Sequence, residues 1–530
     1  MSHLCLINPP GIKTTSGLQM HTPNPPIGLA YIAAAVRDAG HRVTVIDTIG
    51  DAPDEINPLR NRPDILVQGL RCDQIVQRIP TDTDVVGLGC AFSTLWPISR
   101  DILEAIRRNR PDLRIIVGGE HPSALPEHVL QTSPVDICII GEGEETTVEL
   151  LDCLDQNRDI ETVKGIAYAQ AGEIIQTERR PRIRDVDQIP WPAWDLFPIE
   201  AYIERHQFNG VNQGRAMPIL GTRGCPYHCA FCSSARMWTT RYAVRDVSQV
   251  CDEIETYMRR YQATDFHFQD LTAVVGKRWI MAFCRELLRR NLNITWQLPS
   301  GTRCEAIDDE VCALLAATGC RNMSYAPESG SPQLLESVQK KVNLDAMRSS
   351  IRSALRHGLK LNCFFVVGLP AETPATLRTT QRLIRQLAWM GVQDVGVAKF
   401  IPYPGSVLFE QLRAAGKIDI NDDFLLSPID SYNAKVSQTL CTNALTFEQL
   451  NRWMIRLYLN FYLLSSLLRP IRTIRTLARA LLTGREDTRY AKWFRDILST
   501  RRRWRRVARQ SRSATANKCT AGADPQPATF

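Results

Sequence analysis

Two runs of strand–helix alternation, split by a stretch rich in proline and tryptophan, predict an α/β protein of two joined units with a helical C-terminal extension. The first run predicts a Rossmann-like, doubly wound parallel sheet, because its strands are β-branched and run into glycine-rich turns. The second run holds six β/α units over roughly 200 residues, too few for an eight-stranded barrel, so a partial, open (β/α)6 TIM-like barrel is the geometric result. A chain of 530 residues exceeds one ordinary core. The segments divide as 1–175 (sheet domain), 176–210 (linker), 211–420 (barrel), 421–510 (helical region) and 511–530 (disordered tail).

In chain order, "HLCLINPP" reads as a strand ending in a proline-rich loop, "GLAYIAAAVRDAG" as a helix stopped by Gly40, and "HRVTVIDTIG" as a second strand. "TDVVGLGCAFST" gives a strand and loop, "ISRDILEAIRRNR" a helix, and "LRIIVGGEHPS" and "DICIIGEGEET" strands that enter Gly-rich turns. In "RRPRIRDVDQIPWPAWDLFP", Trp191, Trp194 and Phe197 are placed to anchor a linker lying across the next domain. The barrel strands are read at "AMPILGT", "DFHFQD", "ITWQLPSG", "RNMSYAPESGS", "KLNCFFVVGLP" and "VQDVGVAKFIPYPG", each preceding or following an amphipathic helix.

The formal charge of +8 says little about a substrate, since much of the excess lies near the C-terminus at Arg501, Arg502, Arg503, Arg505, Arg506, Arg509 and Arg512. No secretory signal is read in "MSHLCLINPP". The longest apolar stretch, 457–468, is shorter than the roughly 20 residues that span a bilayer. Scattered cysteines such as Cys138 and Cys363 read as buried small hydrophobes in a reducing compartment, so a cytoplasmic location is expected. The basic C-terminal region, with Trp493, Phe494 and Trp504, reads either as a solvated helix or as a peripheral contact with anionic membrane; no nucleic-acid partner is expected.

One group of cysteines is clustered. "GTRGCPYHCAFCSS" (221–234) places Cys225, Cys229 and Cys232 in a loop after the first barrel strand. A zinc ribbon needs two paired Cys/His groups, and no second CxxC or HxxxH follows nearby. A [4Fe–4S] cluster normally takes four cysteines, so three leave one iron open to a substrate or cofactor. Pro226 stiffens the loop, Phe231 can shield a cluster, and His228 reads as a spacer. A zinc site borrowing a distant ligand and chance clustering are the bland alternatives.

The loop, its aromatic before the last cysteine and its place in a partial barrel resemble the radical S-adenosylmethionine (SAM) superfamily. The resemblance implies that Cys225, Cys229 and Cys232 are catalytic and hold a [4Fe–4S] cluster. The open iron would bind the amino and carboxylate groups of SAM, and electron transfer would yield a 5′-deoxyadenosyl radical. Strand-end polar groups would then bind the cofactor. Asp270 follows the second strand, where family members often have an acidic pair and this chain has Gln269. Arg303 follows the third strand, and Glu328, Ser329 and Gly330 the fourth. Gly368, Leu369, Pro370 and Glu372 follow the fifth, and Lys399 and Tyr403 the sixth. Plain structural readings stand beside these: an internal salt bridge for Arg303 and Glu328, a turn for Gly368 and Pro370.

The N-terminal sheet is similar to the cobalamin (B12)-binding domain of the largest cobalamin-dependent subgroup, on "INPP", "PPIGLAYIAAAVRDAGHRV", "VGGEHPSALPE" and "DICIIGEGEET". With the barrel, the resemblance covers roughly residues 3–415. The Asp-x-His-x-x-Gly frame of many methionine-synthase-like domains is absent, and His41 lacks it. Cobalamin is therefore expected without a protein imidazole, with Gly118, Gly119, Gly141 and Gly143 letting backbone approach it closely. His121 reads as a loop-capping residue. The resemblance implies a cobalamin-dependent enzyme that methylates an unactivated carbon of a small or lipid-like molecule, fed by a donor such as flavodoxin or ferredoxin. Alternatives are a cyclase, rearrangement or carbon–carbon coupling enzyme of the same layout, or a non-catalytic corrinoid or nucleic-acid binding protein with a structural metal.

Overall fold

The computed structural model describes residues 1–14, 23–433, 440–492 and 494–495. Trp493, Trp504, the arginines from 501 to 512 and the segment 511–530 lie outside them.

Strand His3–Asn8 is buried along its whole length and lies second from one edge of a seven-stranded sheet. Arg42–Asp47 pairs on one side of it and Val85–Gly89 on the other, followed outward by Arg114–Gly118 and Ile137–Ile139, all parallel. An antiparallel hairpin, Ile166–Gln170 and Glu173–Gln176, closes the far edge. Its turn is Ala171–Gly172, both at positive φ (51° and 85°), the conformation a two-residue hairpin requires. Alternation sorts the strands' side chains: Leu4 and Leu6 pack toward helices Ile27–Asp38 and Glu144–Asp155, while Cys5 and Ile7 pack toward helix Trp96–Asn109. Burial on both faces is why these strands read as nearly unbroken apolar runs.

A three-stranded antiparallel sheet, Gly11–Thr14, Arg62–Gln68 and Ile56–Leu59, was not expected from the sequence. Pro58 and Pro63 sit inside it, and proline demotes a segment that otherwise reads as strand.

The linker crosses to the second domain with Trp194 and Phe197 buried in a hydrophobic core that is continuous from sheet to barrel. Their rings meet edge-on at 5.8 Å, and each such burial is worth about 1.5–3 kcal/mol. Trp191 is only half-buried.

Six parallel strands then form the open barrel in sequence order: Ala216–Ile219, Asp265–Phe268, Thr295–Thr302, Cys320–Glu328, Lys360–Val367 and Asp394–Lys399. Helices cover its outer face, with clear start signals. Asp246 accepts from the Ser248 and Gln249 amides (2.9 and 3.1 Å) to open helix Val247–Tyr261, and Thr373 forms a capping box with Thr376 before helix Pro374–Met390.

Helix Phe447–Leu468 packs on helix Pro374–Met390 and on the last strand, where the Tyr458 hydroxyl donates to the Val397 carbonyl (3.0 Å) and accepts from its amide (2.9 Å). After helix Pro470–Thr483 the chain turns beneath the barrel and closes its N-terminal end. There Asp394 accepts from the amides of Arg489 (2.7 Å) and Tyr490 (3.3 Å), Lys360 pairs with Asp487, and Lys492 donates to the Gly210 carbonyl at 2.7 Å. The sequence showed this region only as a helical extension. No helix among the described residues is long and apolar enough to cross a membrane.

Candidate active site

The cysteine loop is held at both ends. At its start, Asp270 accepts from the Gly221 amide (3.2 Å) and the Thr222 hydroxyl (2.5 Å). Burial raises its pKa to about 6, against the pull of these donors. Gly224 has φ +84, and a Cβ there would lie 2.2 Å from the Arg241 carbonyl, so only glycine turns this corner. At the loop's end the Ala230 amide donates to Val338 (2.9 Å), and the Leu408 amide donates to Ala230 (2.9 Å), tying the loop to two later barrel loops.

The sheet domain also grips this loop. Arg223 pairs with Glu144 at 2.7 Å and Glu142 at 3.5 Å, and its guanidinium stacks 4.6 Å over Tyr31. Arg182 of the linker donates to Glu142 at 2.7 Å, and the Ile183 amide to the same carboxylate at 2.9 Å. All four charged side chains are buried. Burial disfavours the Arg223 charge, but Glu144, Tyr31 and Glu142 outweigh it and its pKa is raised. Past the last cysteine, the Ser233 hydroxyl donates to Glu120 of the sheet domain.

Between these holds, Cys225 lies within electrostatic reach of Cys229 and Cys232, and Cys229 within reach of Cys232. Burial pushes the Cys229 thiol up, with Lys340 opposing. Cys232 keeps an accessible surface although protein packs closely around it, and that desolvation pushes its pKa up to about 12. A bound metal deprotonates such thiols outright. Among the described residues no three Cys, His, Asp or Glu side chains converge on a point that would hold a single metal ion. The three thiols share one short loop stiffened by Pro226. Phe231 packs against the core beside them.

The other predicted residues fall into separate groups. Glu328 ends its strand at φ +61 after a register shift, a strained position for a non-glycine residue of order 1–3 kcal/mol. It pairs with Lys340 at 2.9 Å, and the pair sits beside Cys229. Burial penalises the Lys340 ammonium, but Glu328 and Cys229 more than offset it, raising its pKa. Arg303 lies 4.2 Å over the ring of Tyr227 in the cysteine loop and donates to Glu305 at 3.1 Å. Its Nε, like the Nε2 of Gln269, is buried without a partner, and both suit a polar ligand at the strand ends. Tyr403 is 41 % exposed but enclosed by protein near Cys232 and Glu120.

Ser329 and Asp270 are spent internally, Ser329 on Thr380 at 3.0 Å and on the Ser331 amide at 3.1 Å. Gly368 has φ +87 with Leu450 against it, and Glu372, buried, has its pKa raised to about 7. Lys399 donates to the Asn433 carbonyl at 2.7 Å.

On the sheet domain, Gly119 has φ +121, and a Cβ there would lie 2.4 Å from the Cys90 carbonyl, so this glycine lets two strand-end loops cross. Gly118 has ordinary room, Gly141 has φ +83 and its amide donates to the Ser123 hydroxyl oxygen (2.9 Å), and Gly143 abuts Ile32. The turn 141–143 therefore docks on the barrel through Glu142 and Glu144, a role the sequence reading missed. His121 is fully buried against Trp96 (5.0 Å) with Nδ1 3.0 Å from the Ser93 hydroxyl. Burial lowers its pKa to about 3, so it braces the loop carrying Phe92, which is 61 % exposed. The exposed Phe92 ring suits a large flat cofactor at the strands' carboxyl ends. His41, paired with Asp152 at 3.2 Å, belongs to helix packing instead.

A three-cysteine loop on a partial barrel, faced by the carboxyl edge of a doubly wound sheet, defines a radical SAM enzyme with a fused B12-type domain. Residues 17–151 match the B12 binding domain and residues 219–384 the radical SAM superfamily, so the chain belongs to the subgroup of that superfamily that carries both. It is 27% identical over 467 residues to an uncharacterized methyltransferase of Pyrococcus horikoshii, covering 87% of this chain and 92% of that one. It is 28% identical to the anaerobic magnesium-protoporphyrin IX monomethyl ester cyclase of Rubrivivax gelatinosus, over 75% of this chain and 68% of the relative. Among solved structures it shares its fold with the radical SAM methyltransferase TsrM of Kitasatospora setae. The TM-score is 0.59 at 20% identity, covering 78% of this chain and 76% of the other. The cobalamin-dependent enzyme OxsB gives 0.61 at 16%, covering 95% and 71%.

Proposed function

We propose that the protein methylates an unactivated carbon of a small molecule, as a cobalamin-dependent radical SAM enzyme. The observation that carries this is the direct contact between the end of the cysteine loop and the sheet's carboxyl edge, Ser233 on Glu120, which sets the two cofactor regions face to face.

In this reading Cys225, Cys229 and Cys232 hold a [4Fe–4S] cluster with one iron open to the amino and carboxylate groups of SAM. When bound, the cofactors supply reductive sulfonium cleavage, hydrogen abstraction and the methyl group. The chain's own residues do the rest. Asp270, Gly224 and Arg223 fix the stem of the loop, so the thiols keep their spacing as the site fills. Lys340 keeps positive charge beside Cys229, which favours its thiolate. The buried, unpartnered Gln269 Nε2 and Arg303 Nε are donors for SAM, beside Glu328. Gly118, Gly119, Gly141 and Gly143 shape the loops that receive cobalamin. Tyr227, Phe231 and Tyr403 exclude water from the thiols.

Electrons would come from a flavodoxin or ferredoxin in the cytoplasm. Peripheral membrane contact is supported by an exposed apolar stripe, Ile455, Leu459, Leu463 and Leu467, spaced four apart on one helix.

The test is product analysis after anaerobic turnover with reductant. S-Adenosylhomocysteine formed alongside 5′-deoxyadenosine supports methyl transfer. Likeness to the protoporphyrin ester cyclases favours one second reading, a radical cyclisation; 5′-deoxyadenosine without S-adenosylhomocysteine would establish it in place of methylation.

A further inference from the structure

The segment that closes the barrel's N-terminal end also sends one side chain up inside it. The Arg489 amide is anchored on Asp394 at the start of the sixth strand. Its guanidinium reaches the middle of the lumen, donating to the Pro299 carbonyl at 2.9 Å and lying 4.9 Å over the ring of Phe364. Phe364 is the fifth residue of its eight-residue strand, so the charge sits well above the plug.

Around it the inward positions are small or open. Gly396 is needed there, since a Cβ would lie 2.9 Å from Phe364. Ala326, Val366 and Ala398 remain partly accessible. Tyr432 lies within electrostatic reach of Arg489 on one side and Glu328 on the other, which joins this floor to the cysteine loop. Arg489 is half-buried, and a guanidinium drawn this far from solvent is ordinarily paired with a carboxylate. Among the described residues no carboxylate pairs with the Arg489 guanidinium, whose hydrogen bonds all come from Nη2. The one further acceptor is Asn209 at 3.5 Å, on the same nitrogen as Pro299. Burial holds its pKa below the ordinary value, with Tyr432 and Asp394 opposing.

We propose that Arg489, on the floor of the barrel lumen, takes the anionic group of the substrate, a carboxylate or a phosphate carried on a flat, apolar body that rests on Phe364. This rests on the radical SAM reading and deepens it by naming the substrate's chemical class. An unpaired planar fork matches either oxyanion in two-point contact.

The experiment compares phenylacetate, phenyl phosphate and neutral phenylacetamide on the anaerobically reconstituted holoprotein, by ligand-observed NMR titration. At least one anion is expected to bind about tenfold or more tightly than the amide. Which anion prevails tells carboxylate from phosphate. Arg489→Gln should remove that preference, and Arg489→Lys should keep part of it. Because Asp394 holds residue 489 by its backbone, both variants should keep the plug; iron content and melting temperature check this. No preference in the wild type, or a preference unchanged in Arg489→Gln, overturns the proposal. Deoxyadenosine release by the wild type is scored separately. Its absence with anion preference intact would sink the radical SAM reading alone, and its presence without anion preference would sink the lumen assignment alone.

Discussion

The two ends of the barrel are built from similar parts to opposite purposes. At the N-terminal end Asp394 receives two backbone amides, Lys360 meets Asp487, and Glu486 accepts from the Asn212 amide at 3.0 Å, so this end is closed and its charges are matched. At the C-terminal end Asp270 likewise receives backbone and hydroxyl donors, but only to hold up the loop that carries the three thiols. Gln269 and Arg303 beside it keep buried nitrogens without partners. Unpartnered buried atoms also occur at the closed end, in Asn322 and Asn362, so it is the place of Gln269 and Arg303 at the strand ends by the cysteine loop that suits them to a ligand. The closed end supplies stability and the open end leaves valences for chemistry. Arg489 breaks this division by carrying an unmatched charge upward from the closed end.

The largest expected effect is at the open end. Cys229→Ala should eliminate bound iron and 5′-deoxyadenosine formation while the melting temperature stays near that of the wild type without its cluster. Full iron content in this variant would erase the contrast between the two ends. Next comes the grip of the sheet domain on the loop stem. Arg223→Ala leaves Glu142 and Glu144 buried with less compensation, and should lower stability by about 3–5 kcal/mol in urea unfolding. A loss under about 1 kcal/mol would mean the network is solvated and the domains are joined by apolar packing alone.

The closed end gives a pH signature. Burial lifts the Asp394 pKa from an ordinary 3.8 to about 6, so the folded state keeps its proton where the unfolded state has lost it. Its contribution is complete below pH 3.8 and declines as pH rises to about 6. Relative to Asp394→Asn, the wild type should therefore lose up to about 3 kcal/mol across that window, read from paired denaturation curves. Curves that run parallel would place the carboxylate in a wetter setting. Smallest of all, His228→Ala should keep the full iron content and change stability by less than about 0.5 kcal/mol, because His228 is an exposed spacer. Loss of iron there would make it a fourth ligand and close the open site.

The parts legible in the sequence were those written locally. Three cysteines within eight residues, glycine turns after β-branched runs and helical spacing are all short-range signals, and they located the cysteine loop, the parallel strands of the first sheet and the six barrel strands, but not the first sheet's strand order or its antiparallel hairpin. What stayed hidden depends on pairs far apart in the chain. Arg223 meets Glu144 across 79 positions, and Arg489 meets Pro299 across 190. Nothing in "EDTRYAK" distinguishes a lumen arginine from a surface one. The glycines at 141–143 signalled a tight turn correctly, but the glutamates among them, which dock the domains, carried no periodic signal. Asp270 and Ser329 had the right positions for cofactor contacts, and only the geometry revealed that their oxygens are occupied by Gly221, Thr222, Thr380 and Ser331.

The most direct test is metal and sulfide analysis of protein reconstituted anaerobically with iron, sulfide and cobalamin. The account predicts about four iron and four sulfide per chain, with an equimolar amount of cobalt retained through gel filtration and the iron lost in each of the three cysteine variants. Zinc bound in place of iron, or iron retained without Cys225, Cys229 or Cys232, would contradict it.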